Sequence, residues 1–332
     1  MRPREPAMRA RPPASLDGAA GPQTRASITR TIPGGETIHD KLTAAVREYV
    51  LRKMPHDDSG ELAAMDLRQL LQTFFNLQGR QISARPRTCH VSEELQSSAK
   101  LAEHQATIET LIGKIEAGED LIPHLSPKAG IAHIPGVESR PLHLRPDRDL
   151  LLGEWGVHHL HLEAEHANDL VFAMFTRSDA YLIGIYEHGD WGLTDVLRIV
   201  VANWPEAGLM LETQAIGLTQ DFTDQERLEL RQAGINTMGV VVDGKLWMPS
   251  ALGIAADGSS SRAGHRAMDF VWRLEPWETE PDKQLAAVQQ AINETARQEV
   301  GGEWSADVDD EGNLRLLRGG VFCQLLSLRP AA

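Results

Sequence analysis

Three extended segments followed by one amphipathic helix constrain the fold of this chain more than any other feature. The middle segment, residues 169–176, is apolar on both faces, as is typical of a central strand. Extended segments at about 156–163 and 181–187 flank it. Residues 193–204 then repeat apolar side chains at helical spacing until Pro205 ends the pattern. This order predicts an α+β fold, in which helices pack on a small antiparallel sheet.

The rest of the chain divides by composition and periodicity. The N-terminal residues are rich in Arg, Pro and Ala without periodicity, which is typical of disorder. Apolar residues at helical spacing, capping motifs and Gly-containing turns suggest helices and hairpins elsewhere. We predict five segments: a disordered tail at 1–35, a helical segment at 36–78, an α+β core with histidine-rich strands at 79–208, a mixed α/β extension at 209–280, and a helix plus β-hairpin at 281–332.

Composition restricts the functional classes. A formal net charge of −14 argues against extended, nonspecific binding to nucleic acid, because that binding needs a basic surface. No apolar run approaches the ~20 residues that span a bilayer. The first residues lack the apolar stretch of a secretory signal. We therefore expect a cytoplasmic protein without a membrane partner.

Histidines are concentrated in the predicted strands. His158, His159 and His161 lie in the first strand, and His188 follows the third. Because side chains alternate across a strand, His159 and His161 should share one face, while His158 faces the core with Leu160. Imidazoles placed together can act as acid and base or as metal ligands.

The three strand sequences resemble the signature of RelE-type toxins, and are most similar to the YafQ branch. The resemblance rests on the runs Trp155–Leu162, Asp169–Phe175 and Tyr181–His188. It implies a β-α-α-β-β-β fold that cleaves messenger RNA with histidines and acids on these strands. His159 or His161 would match the histidine of the family's first central strand, and His188 the histidine that closes its last strand.

RNA cleavage by the 2′-hydroxyl needs a base, an acid and a donor for the charge that develops on phosphate. The resemblance implies an endoribonuclease that uses no cofactor, or a catalytically decayed relative, with RNA and a protein partner such as an antitoxin as expected partners. Asp190 is expected to orient His188, and Arg177 to face phosphate from the hairpin turn. Arg262 and Arg266 follow a serine-rich loop at a helix start, a second candidate anion site. The predicted catalytic residues are His159, His161, His188 and Asp190, and the predicted substrate-binding residues are Arg177, Arg262 and Arg266.

Two alternatives remain open at this point. The spacing G-x5-H-x-H-x3-E from Gly153 resembles the first half of the cupin metal motif, so that a metal could bind His159, His161, Glu165 and His188. The third hypothesis is a noncatalytic binding protein, an accessory component of a phage or of host defence. In that protein the histidines would serve packing or a pH-sensitive interface.

Overall fold

A computed structural model of the chain describes residues 35–54, 60–132, 140–162, 168–214, 222–237 and 239–329. Ten α-helices occur within these ranges: α1 (Ile38–Lys53), α2 (Glu61–Ala64), α3 (Leu67–Arg80), α4 (Glu93–Gln96), α5 (Ala99–Ala117), α6 (Leu150–Trp155), α7 (Asp195–Asn203), α8 (Asp224–Gln232), α9 (Ser261–Thr279) and α10 (Pro281–Ala296). The strands there are β1 (Thr88–Val91), β2 (His158–His161), β3 (Asp169–Phe175), β4 (Asp179–Glu187), β5 (Met210–Glu212), β6 (Val240–Val242), β7 (Lys245–Pro249), β8 (Trp304–Val308), β9 (Asn313–Arg318) and β10 (Val321–Ser327).

The histidine-rich strands belong to a four-stranded sheet with the order β1-β4-β3-β2. Strands β2, β3 and β4 form an antiparallel meander, and β1 pairs with β4 in parallel. His159 lies opposite Phe172, and His161 lies opposite Leu170. The predicted α+β class is confirmed, with three small sheets that are mostly antiparallel among the described residues.

Each face of this sheet packs into its own hydrophobic cluster. On one face, Leu160, Val171 and Leu182 meet the apolar side of α5. On the other face, Phe172 and Ile183 meet α6, α7 and buried residues of strands β5, β6 and β7. Side-chain alternation on β3 explains this division, since neighbouring apolar residues of a buried strand enter opposite cores.

Two further sheets, each of three strands, follow in the chain. Strands β5, β7 and β6 form one sheet, and β10, β9 and β8 form the other, both antiparallel. The sequence predicts a two-stranded hairpin at the C-terminal end, whereas the structure has three strands there, because the turn at Gly319–Gly320 adds β10. From Thr37 onward the chain packs into one compact unit.

The first histidine strand is shorter than its sequence suggests. Helix α6 runs to Trp155, and Gly156 ends it with a left-handed φ of 76°, a conformation that glycine adopts without strain. The strand therefore begins only at His158. The predicted N-terminal tail lies outside the described residues, apart from its last residue. No helix in the described ranges is both long and apolar enough to cross a membrane.

Candidate functional site

Three histidines gather on one side of the β2–β3–β4 sheet. His159 and His161 share a face of β2, as the alternation predicts, and their ring centroids lie 6.2 Å apart. His188 follows β4, and its ring centroid lies 5.5 Å from that of His161. The backbone N–H of His188 donates to the carbonyl of Asn168 at 3.2 Å, which fixes the chain where it leaves the sheet.

Trp191 completes this histidine cluster. Its ring centroid lies 5.1 Å from that of His159 and 5.6 Å from that of His188. It also stacks on buried Phe172, with centroids 5.7 Å apart and planes 8° from parallel. The indole therefore forms an apolar wall that orients the two imidazoles against the sheet.

Asp149 brings a carboxylate to the cluster from the start of α6. One of its oxygens accepts the N–H of Leu152 at 2.9 Å and caps the helix. Its other oxygen, Oδ2, lies 3.8 Å from Nδ1 of His159. This distance is too long for a hydrogen bond, and Nδ1 is buried without a hydrogen-bond partner among the described residues. Asp149 is thus an acidic neighbour of the His159 ring, without a hydrogen bond between them.

Burial and mutual repulsion set the protonation of the cluster. Burial lowers the pKa of His161, and positive charge on His159, His188 and His124 lowers it further. The pKa of His188 is also lowered, first by burial and then by His159. Both rings therefore favour the neutral form more than a histidine in water does.

His124 holds the end of β2 in place. Its Nδ1 donates to the carbonyl of His161 at 3.0 Å, while its Nε2 accepts from Nζ of Lys114 at 3.1 Å. Because a lysine only donates and a carbonyl only accepts, these contacts select the Nδ1–H tautomer. The carbonyl of His161 is thus anchored from outside the sheet.

His158 faces the opposite side, as expected. Its ring meets Phe175 edge-on at 5.5 Å between centroids. Burial lowers the pKa of His158 to about 4, so this ring is neutral at physiological pH. At the edge of the sheet, His158 also lines part of a cavity that opens beside the histidines.

A cavity of about 440 Å³ opens beside the cluster, and His159, His188 and Trp191 form part of its wall. Four lining residues are cationic, namely Arg80, Lys128, Arg148 and Arg231. Among the described residues, Asp149 is the one acidic residue of the lining. A volume of this size lies within the range of ~300–1,000 Å³ that is usual for small-molecule sites. The lining therefore contains more cationic than acidic side chains, although buried Asp147 and Glu154 pair with Arg148 and Arg231.

Buried charges hold the loop that carries Asp149. Arg80 of α3 donates to the carbonyls of Lys128, Ile131 at 2.7 Å and Asp147 at 2.8 Å. The fully buried carboxylate of Asp147 in turn pairs with Arg145 and Arg148, at 3.1 Å and 2.7 Å. Since unpaired charges are costly inside a protein, these partners define the path of the loop.

Two predicted site residues lie elsewhere or make other contacts. Arg177 is exposed in the turn between β3 and β4, the opposite end of β4 from His188. Nine residues of β4 separate the two ends, which is about 25–30 Å at ~3.3 Å per residue. The carboxylate of Asp190 accepts the N–H of Glu187 at 2.8 Å, and no hydrogen bond links it to His188 in the described chain. Asp149, at 3.8 Å from His159, is the nearer acid to the cluster.

The predicted anion site at the start of α9 uses its arginines for packing. Arg266 stacks over Phe75 at 3.9 Å and donates to the carbonyl of Leu328 at 3.1 Å. Burial lowers the pKa of Arg266 to about 10. Arg262 donates to the carbonyl of Ser250 at 2.6 Å. Neither arginine lines the cavity beside the histidines.

The alternative metal site is incomplete in the part of the chain that the structure describes. Within those ranges, no group of three or more His, Cys, Asp or Glu side chains is arranged to hold a metal ion. Glu165, the predicted carboxylate ligand, lies outside them. The sheets also differ from a jelly roll, since helices cover both faces of the four-stranded sheet.

Three residues of the site were missed by sequence reasoning. Asp149 directly precedes three leucines, and an Asp before an apolar run is a usual sign of a helix N-cap, so the sequence contained a signal for its position. Trp191 follows the turn at Gly189–Asp190 with no motif around it. Arg231 lies in a polar helix, where its burial depends on tertiary packing that no local pattern encodes.

Comparison with known proteins adds no relative. Neither protein-family models, nor curated proteins, nor solved structures gave a match to this chain.

Proposed function

We propose that this protein cleaves RNA by general acid–base catalysis, with His188 as the base and His159 as the acid. The observation that carries the proposal is the convergence of these two imidazoles on one cation-lined cavity. Both rings contact Trp191, and both neighbour His161.

The roles follow from the environment of each ring. The lowered pKa of His188 leaves it neutral and ready to accept a proton at physiological pH. We assign the acid role to His159 because a carboxylate oxygen of Asp149 lies 3.8 Å from its Nδ1, whereas no such contact with an acid is described for His188. His161 lies next to both rings, with centroid distances of 6.2 Å to His159 and 5.5 Å to His188.

In the proposed reaction, His188 removes the proton from a ribose 2′-hydroxyl, whose oxygen attacks the adjacent phosphorus. His159 donates a proton to the departing 5′-oxygen as the P–O bond breaks. The products are a 2′,3′-cyclic phosphate and a 5′-hydroxyl, and the two histidines exchange protonation states. The reaction needs no redox partner, and the imidazoles supply both proton transfers.

The order of elements also supports a RelE-like relationship. Strand β1 is followed by α4 and α5, and later by the meander β2-β3-β4, which is the β-α-α-β-β-β order that the resemblance implies. This chain adds α6 before β2. Its net charge of −14 suggests contact with a short RNA segment, with a shallow dependence of binding on salt.

The test is cleavage of end-labelled single-stranded RNA by the purified full chain, with and without EDTA. We expect cleavage in both, ending in 2′,3′-cyclic phosphate, and a loss of about 10²–10⁴-fold for His159→Asn and for His188→Asn. His265→Asn is the matched control, because His265 is exposed on α9. Intact RNA, or variants as active as the wild type, would contradict the proposal and favour a decayed enzyme or a noncatalytic binding protein. Activity that EDTA abolishes would contradict the metal-free mechanism.

A further inference from the structure

We propose that Arg231 of α8 binds a phosphate group in the cavity beside the histidine cluster. The phosphate belongs either to the RNA backbone or to a small phosphate ester. The RNA source rests on the proposed function, whereas the phosphate site itself does not require catalysis.

Helix α8 presents one face to the cavity. Leu228, Arg231 and Gln232 all line it, and their i, i+3, i+4 spacing places them on the same side of the helix. A capping box between Thr223 and Glu226 fixes the start of α8. The guanidinium group is therefore carried to the wall by a defined helix.

The guanidinium of Arg231 has one uncommitted edge. Its Nε donates to the carboxylate of Glu154, and its Nη1 donates to the carbonyl of Trp191. Its Nη2 is buried and has no hydrogen-bond partner among the described residues, although the side chain is only 2% exposed. Buried donors are almost always paired, so an unpaired one on a residue that lines the cavity leaves room for an acceptor from outside the chain.

The orientation of this group is fixed before a ligand arrives. The guanidinium lies over the ring of Trp155, with 4.0 Å between its Cζ and the ring centroid. Glu154 is fully buried and also accepts from Oγ1 of Thr237 at 3.1 Å. A planar donor held on three sides loses little entropy on binding, which suits the fork geometry of phosphate recognition.

The surrounding charges favour an anion. Buried carboxylates pair with two cations of the wall, Glu154 with Arg231 and Asp147 with Arg148. Arg80 and Lys128 are the other two cations, and Asp149 is the acidic lining residue among those described. Lys128 is exposed and is available at the surface. These charges favour a single phosphate group inside the cavity. The negative net charge of the rest of the chain disfavours binding of a long polyanion along its surface.

The phosphate site and the histidines share Trp191. Arg231 binds the backbone carbonyl of this residue, and the ring of the same residue contacts His159 and His188. A phosphate on Arg231 is thereby placed next to the acid and the base. In RNA cleavage, Nη2 would donate to a non-bridging oxygen as negative charge develops.

Calorimetric titration of the full chain with two probes tests this site. The probes are inorganic phosphate and a dinucleoside monophosphate whose attacking 2′-hydroxyl is replaced by hydrogen. We expect the wild type to bind at least one probe, and binding of only one identifies the source of the phosphate. Arg231→Lys should weaken binding at least about tenfold, because it loses the fork.

A second variant tests the site without replacing the buried Arg231, whose loss could unfold the protein. Gln232→Glu places a carboxylate on the cavity wall at an exposed position, and we expect several-fold weaker binding. Gln225→Glu makes the same change two turns earlier on α8, outside the cavity wall, and should bind as the wild type. Circular dichroism verifies that each variant is folded.

The outcomes separate this proposal from the proposed function. Phosphate binding that depends on Arg231, together with intact RNA, would retain the site and reject the nuclease. RNA cleavage with no binding of either probe, or with unchanged affinity in folded Arg231→Lys and Gln232→Glu, would overturn the phosphate site and retain the nuclease.

Discussion

The Nδ1 atom of His159 lies 3.8 Å from Oδ2 of Asp149, whose carboxylate also caps α6 through the N–H of Leu152. One side chain therefore couples the start of a helix to the proposed general acid. If the helix start shifts, the electrostatic partner of His159 shifts with it.

Replacing Asp149 by Asn should separate these two functions. Asn still caps a helix but carries no charge, so the ring of His159 loses its nearby carboxylate. We expect RNA cleavage to fall at least about tenfold, but by less than the ~10²–10⁴-fold expected for removal of the acid itself. The free energy of unfolding, measured in urea, should change by less than about 0.5 kcal/mol. In Asp149→Ala the loss of the cap should add about 1 kcal/mol of destabilisation. Equal cleavage by the wild type and Asp149→Asn would show that the carboxylate serves α6 alone.

Acid should weaken the fold through His158. Its pKa is about 4 in the folded protein against 6.5 in the unfolded chain. Above pH 6.5 neither state binds the proton and the full stability is present. As the pH falls below 6.5 the unfolded chain is protonated first, so up to about 3 kcal/mol is lost by pH 4. Urea denaturation at pH 7.5, 6, 5 and 4 measures this loss. His158→Gln should flatten the dependence, and His265→Gln should not. A His158→Gln protein with the same pH dependence as the wild type would assign the effect to other groups.

Lys100 should matter more for activity than for stability. Its Nζ lies 2.7 Å from Asp169 and 3.1 Å from Glu187, so it joins the ends of β3 and β4 next to His188. We expect Lys100→Met to lower RNA cleavage several-fold while changing the free energy of unfolding by less than about 1 kcal/mol. Lys283→Met removes a more exposed ion pair with Glu280 at the start of α10 and should leave cleavage unchanged. The same loss of activity in both variants would point to general charge and not to the position of His188.

Packing of α5 on the sheet has its own test. Leu111 is fully buried on this helix. Its replacement by Ala should cost about 2–5 kcal/mol, because the packed sheet cannot collapse into the space. Leu144 is 58% exposed, and Leu144→Ala should change stability by less than about 0.5 kcal/mol. Chemical denaturation of both variants checks the pair. A small effect at Leu111 would contradict the packing of this face of the sheet.

Local patterns were sufficient for the meander and its histidines. Alternation along β2 predicts that His159 and His161 share a face, and the apolar run of β3 predicts a strand buried on both sides. The capping box at Thr223 likewise predicts where α8 begins. These features depend on neighbours within a few residues, which a sequence displays directly.

Local sequence patterns do not predict which side chains line the cavity. Arg231 and Glu154 are 77 residues apart and meet only in the folded chain. Arg177 has the appropriate chemistry, but the direction of β4 carries its turn away from His188. Helix α6 was missed because the six residues Leu150–Trp155 are too few to display a period. Long-range packing therefore determines which charged side chains reach the histidines.

Strand β3 lies between the two strands that carry the proposed acid and lead to the proposed base. His159 belongs to β2 and His188 follows β4, so no pair of neighbouring strands contains both imidazoles. A partly folded chain with two of the three strands in place would have no complete site. If the proposed function holds, activity would be lost in one cooperative step with the unfolding of the sheet, and the rate of RNA cleavage would then report the fraction of native protein.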